Sequence, residues 1–312
     1  MRAPSTSDPP TRAVSLRARV AVAVADWLAR RPLATQYRIG GWLGRLALLF
    51  SSGLRRRLRE NLAIAGYDGR VSLLAVGANL GRMAIETLAL WRTPTELAQS
   101  RLLEVYGWDQ VRAARKSGQG VIFLTPHLGT FEYAALMIGA ELPFTVMYRP
   151  PREAWADPLM REGRTRQQMR AVPADFSGVR AMLGALRRGE AIGILPDQVP
   201  DADRGGEGVW APFFGRPAYT MTLVPTLAAR TGARVFMVST IRLRPGANCR
   251  AGFRVHFDPV EGLTAPPGDA ARMLNAAVER AIAYAPEQYL WSYNRYKVPR
   301  GAPEPPTGRP IR

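Results

Sequence analysis

One short stretch, Leu124-Thr125-Pro126-His127-Leu128-Gly129-Thr130-Phe131-Glu132, sets one of the chain's two histidines near a carboxylate. On one continuous helix, side chains five residues apart point about 140° away from each other and do not meet. His127 and Glu132 can therefore pair only if His127 precedes a helix and Glu132 sits on its first turns. The punctuation predicts that layout: residues 120–125 (GVIFLT) read as a buried strand, Pro126 stops it, and a helix opens near Gly129. There Glu132 could hold one imidazole nitrogen and stabilise the imidazolium, leaving the other nitrogen to take a proton from a hydroxyl. The backbone N–H groups of Gly129 and Thr130, at the helix start, are candidates for stabilising a tetrahedral oxyanion.

The elements that must position this pair are legible beyond residue 101. Four short apolar runs, at 120–125, 144–149, 191–196 and 234–241, read as strands, and helical patterns at 130–139, 155–168 and 177–188 separate the first three. Continuous apolar strands alternating with helices predict an α/β fold with a mixed, mostly parallel sheet flanked by helices. Ligands of such sheets bind at the carboxyl ends of strands, where His127 falls. Residues 252–259 (GFRVHFDP) alternate apolar with polar, which suits a half-exposed strand near an edge, and His256 within it reads as structural. A last helix is expected over 269–284.

Residues 14–100 read as helical instead. Within 36–50, Ile39, Trp42, Leu43, Leu46, Leu49 and Phe50 recur at helical spacing with Arg38 and Arg45 on the flank. Such a helix either packs on the core or lies in a membrane interface. No stretch reaches the roughly 18–20 uninterrupted apolar residues of a transmembrane helix. The best runs, 20–29 and 39–50, are broken by Asp26 and Arg45. The expectation is a helical, peripheral or monotopic membrane-associating region over 14–100, an α/β core over 101–298, and disordered ends at 1–13 and 299–312, both rich in proline.

Lys and Arg total 43 against 25 acidic residues, a formal charge of +18. Nucleic acid, an anionic membrane and a polyanionic substrate all match such a charge. The group Arg55, Arg56, Arg57 and Arg59, directly after an apolar stretch, favours lipid headgroups over a nucleic-acid groove. The lone Cys249 excludes an internal disulfide framework.

Arginine suits phosphate, because its planar guanidinium donates two parallel bonds. Arg149 and Arg216 each follow a short apolar or aromatic run and adjoin proline, so they are candidate phosphate clamps, with solvated surface charge as the alternative. Asp197 follows a strand directly and is as suited to a turn or helix cap as to a ligand site. Phe213 and Phe214 fit either an acyl-chain wall or core packing, and Trp291, Tyr293, Arg295, Tyr296 and Lys297 mix aromatic and basic groups as a base-stacking platform also does.

Taken together the blocks resemble a known family. His127-x4-Glu132 is similar to the HxxxxD/E block of acyltransferases, in the Glu form of the lipid A biosynthesis late acyltransferases. Val146-Met-Tyr-Arg-Pro150 resembles that family's second block. Leu195-Pro-Asp-Gln-Val-Pro200 with Gly208-Val-Trp-Ala-Pro-Phe-Phe-Gly-Arg-Pro-Ala-Tyr-Thr220 resembles its third, and Pro286-Glu-Gln-Tyr-Leu-Trp-Ser-Tyr-Asn-Arg-Tyr-Lys297 its C-terminal signature. Arg55-Arg-Arg-Leu-Arg-Glu-Asn-Leu62 is similar to a motif near the family's N-terminus. The blocks run in order from about Arg38 to Lys297.

The resemblance implies acyl transfer from acyl carrier protein to a hydroxylated chain of an anionic, phosphorylated disaccharide lipid. It implies no metal or redox cofactor, no nucleic acid, and residence on the cytoplasmic face of the inner membrane. By position His127 would be the base and Glu132 its partner, with Arg149, Asp197, Gln198 and Arg216 lining the site. The interrupted apolar runs depart from family members that carry a clearer N-terminal transmembrane segment. Two other readings compete: a lysophospholipid or phosphatidylinositol-mannoside acyltransferase using acyl-CoA, and a non-enzymatic basic protein that binds membrane or nucleic acid. The second leaves the histidine and the glycine after it without a purpose.

Overall fold

The computed structural model describes residues 16–149, 151, 156–201, 205–246 and 250–306; the segment 1–13, Pro150, Cys249 and the end of the tail lie outside the described residues. In chain order the strands are β1 (Leu102–Tyr106), β2 (Val121–Leu124), β3 (Phe144–Tyr148), β4 (Met169–Pro173), β5 (Ala191–Ile194), β6 (Gly208–Phe213), β7 (Arg216–Met221), β8 (Arg234–Leu243) and β9 (Gly252–Pro259). The helices are α1 (Leu16–Ala29), α2 (Leu33–Phe50), α3 (Ser52–Ile64), α4 (Leu73–Leu90), α5 (Thr95–Gln99), α6 (Trp108–Lys116), α7 (Phe131–Glu141), α8 (Asp157–Arg164), α9 (Phe176–Arg187), α10 (Leu223–Thr231) and α11 (Pro267–Ala283).

Seven strands form one sheet in the order β1-β9-β8-β2-β5-β3-β4, parallel throughout except where β8 meets β9. The α/β fold with a mixed, mostly parallel sheet is thus as the alternation of apolar runs and helices requires. Every residue of the central strands β2 and β5 is buried, which is why those strands read as unbroken apolar runs. The edge strands β1 and β4 were not legible, because Glu104 and Tyr106 in one and Arg170 and Pro173 in the other break the apolar pattern. Strand β9 lies one place in from the edge, and its alternation comes from Arg254, His256 and Asp258, each half-buried. His256 stacks between Tyr106 and Tyr284, with ring centroids 4.9 and 4.2 Å away.

The N-terminal helices are joined to the sheet. Helices α2 and α4 approach so closely that only glycine fits: a Cβ on Gly44 would lie 1.9 Å from the Gly77 carbonyl oxygen, and one on Gly81 would lie 2.0 Å from that of Gly40. This close packing turns the apolar face of α2 outward. Trp42, Leu43, Leu49 and Phe50 are 65, 50, 66 and 82% exposed, while Gln36, Tyr37, Gly40, Gly41, Gly44 and Leu48 are buried.

Among the described residues α4 is the one helix long and apolar enough to cross a membrane by length and composition, a stretch that counting uninterrupted apolar residues passes over. Its Asn79, Arg82 and Glu86 are buried, and Glu86 and Asn79 bond Arg242 of β8. Those contacts make it a helix packed on the sheet. Helix α3 carries the Arg-rich motif: Leu58, Asn61 and Leu62 are buried, and Asn61 Nδ2 donates to the Trp291 and Tyr293 carbonyls at 2.6 and 3.1 Å. Arg55 caps the end of α2 through the Leu48 and Leu49 carbonyls, while Arg56, Arg57 and Arg59 are exposed.

Candidate active site

β2 ends at Leu124, and Thr125 donates its N–H to Ile194 of β5 at 3.0 Å, so the chain leaves the sheet at Pro126 beside the end of β5. His127 lies in that exit, before α7 begins at Phe131. The next residues are clamped. Gly129 has φ of +57°, and a Cβ there would sit 1.9 Å from the Thr240 carbonyl oxygen, which excludes any other residue without a shift of backbone. Thr130 Oγ1 donates to Glu86 Oε2 at 2.8 Å, and Arg242 Nη2 donates to the Gly129 carbonyl at 3.2 Å. Arg242 and Glu86 pair at 2.6 Å with both side chains 1% exposed. This buried ion pair ties α4, β8 and the turn after His127 into one polar network.

The partner of the imidazole is Asp197. Its Oδ2 accepts the His127 backbone N–H at 2.9 Å, and its Oδ1 lies 2.9 Å from ring Nδ1. The Tyr289 hydroxyl bonds the same carboxylate. Burial alone would push the Asp197 carboxyl up, but the charge and hydrogen bonds of His127 hold it below its ordinary value. The Tyr289 phenol is pushed well above its ordinary value by burial and by the Asp197 charge, and so stays a neutral donor. An ionised Asp197 only accepts, so the proton between them belongs to Nδ1, and whenever the imidazole is neutral its lone pair is on Nε2. Gln198 Nε2 sits 3.2 Å from that Nε2.

The expected pairing of His127 with Glu132 is corrected by this geometry. Glu132 is on the first turn of α7, as anticipated, but its carboxylate turns away to Arg164 of α8, with Oε1 on Nη2 and Oε2 3.2 Å from Nε. The sequence offered no signal for Arg164 beyond a basic residue in a helical pattern. A nearly buried carboxylate takes the nearest guanidinium because an unpaired charge there is costly.

The Gly129 and Thr130 amides are likewise not free for an oxyanion. They donate to the Gln288 and Thr240 carbonyls, each at 3.1 Å, because the turn bridges β8 and the C-terminal segment. Among the described residues the N–H groups of Phe131 and Glu132, at the first turn of α7, have no acceptor.

Of the other expected residues, Asp197 and Gln198 reach His127 from the loop after β5. Arg149 follows β3 on the same rim of the sheet, 55% exposed, with Nη1 3.7 Å from Asp201 Oδ2. Arg216 opens β7, outside the main sheet, with its guanidinium 5.1 Å from the Tyr296 ring centroid. Phe213 is buried and packs with Phe214 and Tyr296, so its role is in the core.

The aromatic and basic C-terminal block is folded inward. Arg295 is 3% exposed and donates to the Tyr219 carbonyl, Thr220 Oγ1 and Asn275 Oδ1, and the Tyr293 hydroxyl accepts the Val199 N–H at 2.9 Å. These side chains are occupied inside the fold, which removes the base-stacking platform as a reading. Tyr289 belongs to the same block and was not singled out from sequence, since nothing in a tyrosine's neighbours reveals a carboxylate ninety-two residues earlier.

A buried carboxylate, an imidazole and a lone pair at the carboxyl edge of a parallel sheet define a site able to deprotonate a hydroxyl. The family model for bacterial lipid A biosynthesis acyltransferases matches residues 16–298, and the chain belongs to that family. It is an acyltransferase of lipid A biosynthesis. The chain is 29% identical over 269 residues to the lipid A biosynthesis palmitoleoyltransferase of Escherichia coli K12, covering 83% of this chain and 84% of that protein. It is 28% identical over 289 residues to the lauroyltransferase of the same organism, covering 89 and 90%. A lipid A biosynthesis acyltransferase of Haemophilus influenzae is 29% identical over 192 residues, 60% of this chain and 57% of that protein.

Proposed function

We propose that the protein transfers a fatty acyl chain from acyl carrier protein to a hydroxyl of a lipid A precursor, with His127 Nε2 as general base and Asp197 as its anchor. The observation that carries this reading is the His127–Asp197 pair, whose contact at Nδ1 leaves Nε2 to take the proton. The acceptor hydroxyl displaces Gln198 from Nε2 and gives up its proton there as its oxygen bonds to the thioester carbonyl carbon. The imidazolium is stabilised by Asp197, and help of this kind is worth on the order of a hundred to ten thousand fold. The tetrahedral oxyanion takes the Phe131 and Glu132 N–H groups at the start of α7. Collapse breaks the carbon–sulfur bond, and the imidazolium returns its proton to the carrier thiolate. No step calls for a metal or cofactor.

Glu132 acts through Arg164, holding α7 and α8 together behind the histidine. Arg149 binds acceptor phosphate at the rim, exchanging Asp201 for the ligand. Arg216 serves the same anionic headgroup from the hairpin.

The exposed apolar face of α2 lies in the cytoplasmic leaflet of the inner membrane, with Arg38, Arg45, Arg56, Arg57 and Arg59 at the headgroups. The test offers the purified protein a phosphorylated disaccharide lipid and a lysophospholipid in parallel, each with carrier-protein and CoA thioesters, and reads products by mass. Acylation of the disaccharide lipid from the carrier thioester is expected. Acylation of the lysophospholipid alone, or from CoA alone, would move the protein to the corresponding other substrate.

A further inference from the structure

A second basic site lies apart from the histidine. Arg30 and Arg31, at the turn between α1 and α2, together with Arg101 before β1 and Arg250 before β9, line an open cavity of about 360 Å³ that has no acidic residue in its wall. Arg101 is 7% exposed, and burial pulls its guanidinium below its ordinary value while Tyr37, Glu86 and Tyr133 offset part of that. Arg250 Nη2 donates to the Ser100 carbonyl at 3.2 Å, and Arg30 and Arg31 are exposed on the cavity wall.

The cavity has a defined place on the sheet. β8 runs parallel to β2 and extends past its end, so Thr240 meets the turn after His127. The end of β8 pairs with the start of β9 at Leu243 and Gly252, and the Phe253 N–H bonds the Arg101 carbonyl at 2.8 Å. The cavity therefore opens on the same rim as the active site, at the β1 edge. Beside it, α1 carries Leu16, Val20, Val24 and Trp27 along one face, 76, 54, 45 and 47% exposed. Arg31 lies 4.7 Å from the Trp27 ring, where the apolar stripe ends at the cavity.

We infer that this cavity holds the phosphate of an anionic phospholipid whose chains lie along the exposed face of α1. Four arginines and no acidic residue line the cavity, and an apolar stripe of lipid length leads away from it, a pairing that free phosphate does not use. The bound lipid fixes the rim toward the membrane, so that an acceptor reaches His127 from the leaflet. Headgroup capture is read without turnover, so failure of this inference leaves acyl transfer untouched.

The test is native mass spectrometry of the full-length protein in neutral detergent, with dioctanoyl phosphatidylglycerol, dioctanoyl phosphatidylcholine or inorganic phosphate. One phosphatidylglycerol should be retained by the parent protein, and retention should fall about tenfold or more in Arg30→Gln/Arg31→Gln, a free-energy change of about 1.4 kcal/mol or more. Both of those residues are exposed, so the double variant should fold; Arg101→Gln should lose the lipid as well. Arg112→Gln/Lys116→Gln, exposed on α6, should retain it. Equal retention of phosphatidylcholine, undiminished retention in Arg30→Gln/Arg31→Gln, or loss only in the α6 variant overturns the inference. Binding of inorganic phosphate with no lipid retained overturns the lipid assignment.

Discussion

Asp197 grips His127 twice, taking the backbone N–H on Oδ2 and facing ring Nδ1 with Oδ1, both at 2.9 Å. The two contacts fix ring position and tautomer together, so the carboxylate decides which nitrogen carries the lone pair.

Replacing Asp197 by Asn keeps the size of the side chain and removes its charge. Its amide can donate to Nδ1 and so favour the tautomer that blocks Nε2. The expected result is a loss of roughly a hundred to ten thousand fold in kcat with folding retained. Steady-state kinetics beside circular dichroism would check it, and an unchanged kcat would remove Asp197 from the mechanism.

The Tyr289 hydroxyl supports the ionised form of the Asp197 carboxylate. A carboxyl held below its ordinary value contributes stability that is complete above the unfolded-state value and is lost as pH falls through the lowered folded value. Tyr289→Phe removes a donor to the ionised form, so the folded value rises toward the unfolded one: the contribution is smaller and its loss is complete at a higher pH. Thermal unfolding as a function of pH should show a variant less stable near neutral pH, with a shallower acid limb that levels off at a higher pH. A limb that coincides with the parent's would contradict the contact.

Glu132 and Arg164 form a nearly buried pair, with side chains 6 and 18% exposed. Glu132→Gln leaves the guanidinium without its counter-charge and should cost about 3 kcal/mol. The double variant Glu132→Gln/Arg164→Gln should lose less than the sum of the two single losses. Denaturant unfolding of the four proteins measures the coupling directly. Additive losses would mean that the pair is not energetically coupled.

The exposed face of α2 makes a separate demand. Trp42→Ser/Phe50→Ser should weaken binding to anionic vesicles by about tenfold or more, since a large apolar side chain is worth about 1.5–3 kcal/mol on burial. Turnover on detergent-dispersed acceptor should persist. Vesicle flotation reads the first and a product assay the second; undiminished flotation would place the membrane contact elsewhere.

The strand-proline-histidine-glycine order was enough to place His127 at the carboxyl edge of a parallel strand, because β2 and β5 are buried on both faces and show it in composition. The partner was misread for a physical reason. Proximity in sequence offered Glu132, whereas the carboxylate that reaches Nδ1 comes from the neighbouring strand's loop, seventy residues later, and only sheet order brings it there. Asp197 and Gln198 were visible as a block but not as contacts of His127.

The sequence left the apolar face of α2 open between core packing and a membrane interface, and the structure turns it outward. An apolar stripe ordinarily marks the buried side of a helix, and here Gly40 and Gly44 take that place because they let α4 approach more closely than larger side chains would. That the Gly129 and Thr130 amides are already spent was hidden too, since hydrogen bonding to Gln288 and Thr240 cannot be read from the turn alone.

The most direct test of the account is a single-turnover transfer assay comparing the parent protein with His127→Ala, using a carrier-protein thioester and a phosphorylated disaccharide lipid, with products weighed by mass spectrometry. The account predicts one acyl chain added by the parent and a rate about a hundred to ten thousand fold lower in the variant, with the same thermal unfolding. A folded His127→Ala protein that transfers at the parent rate would contradict it.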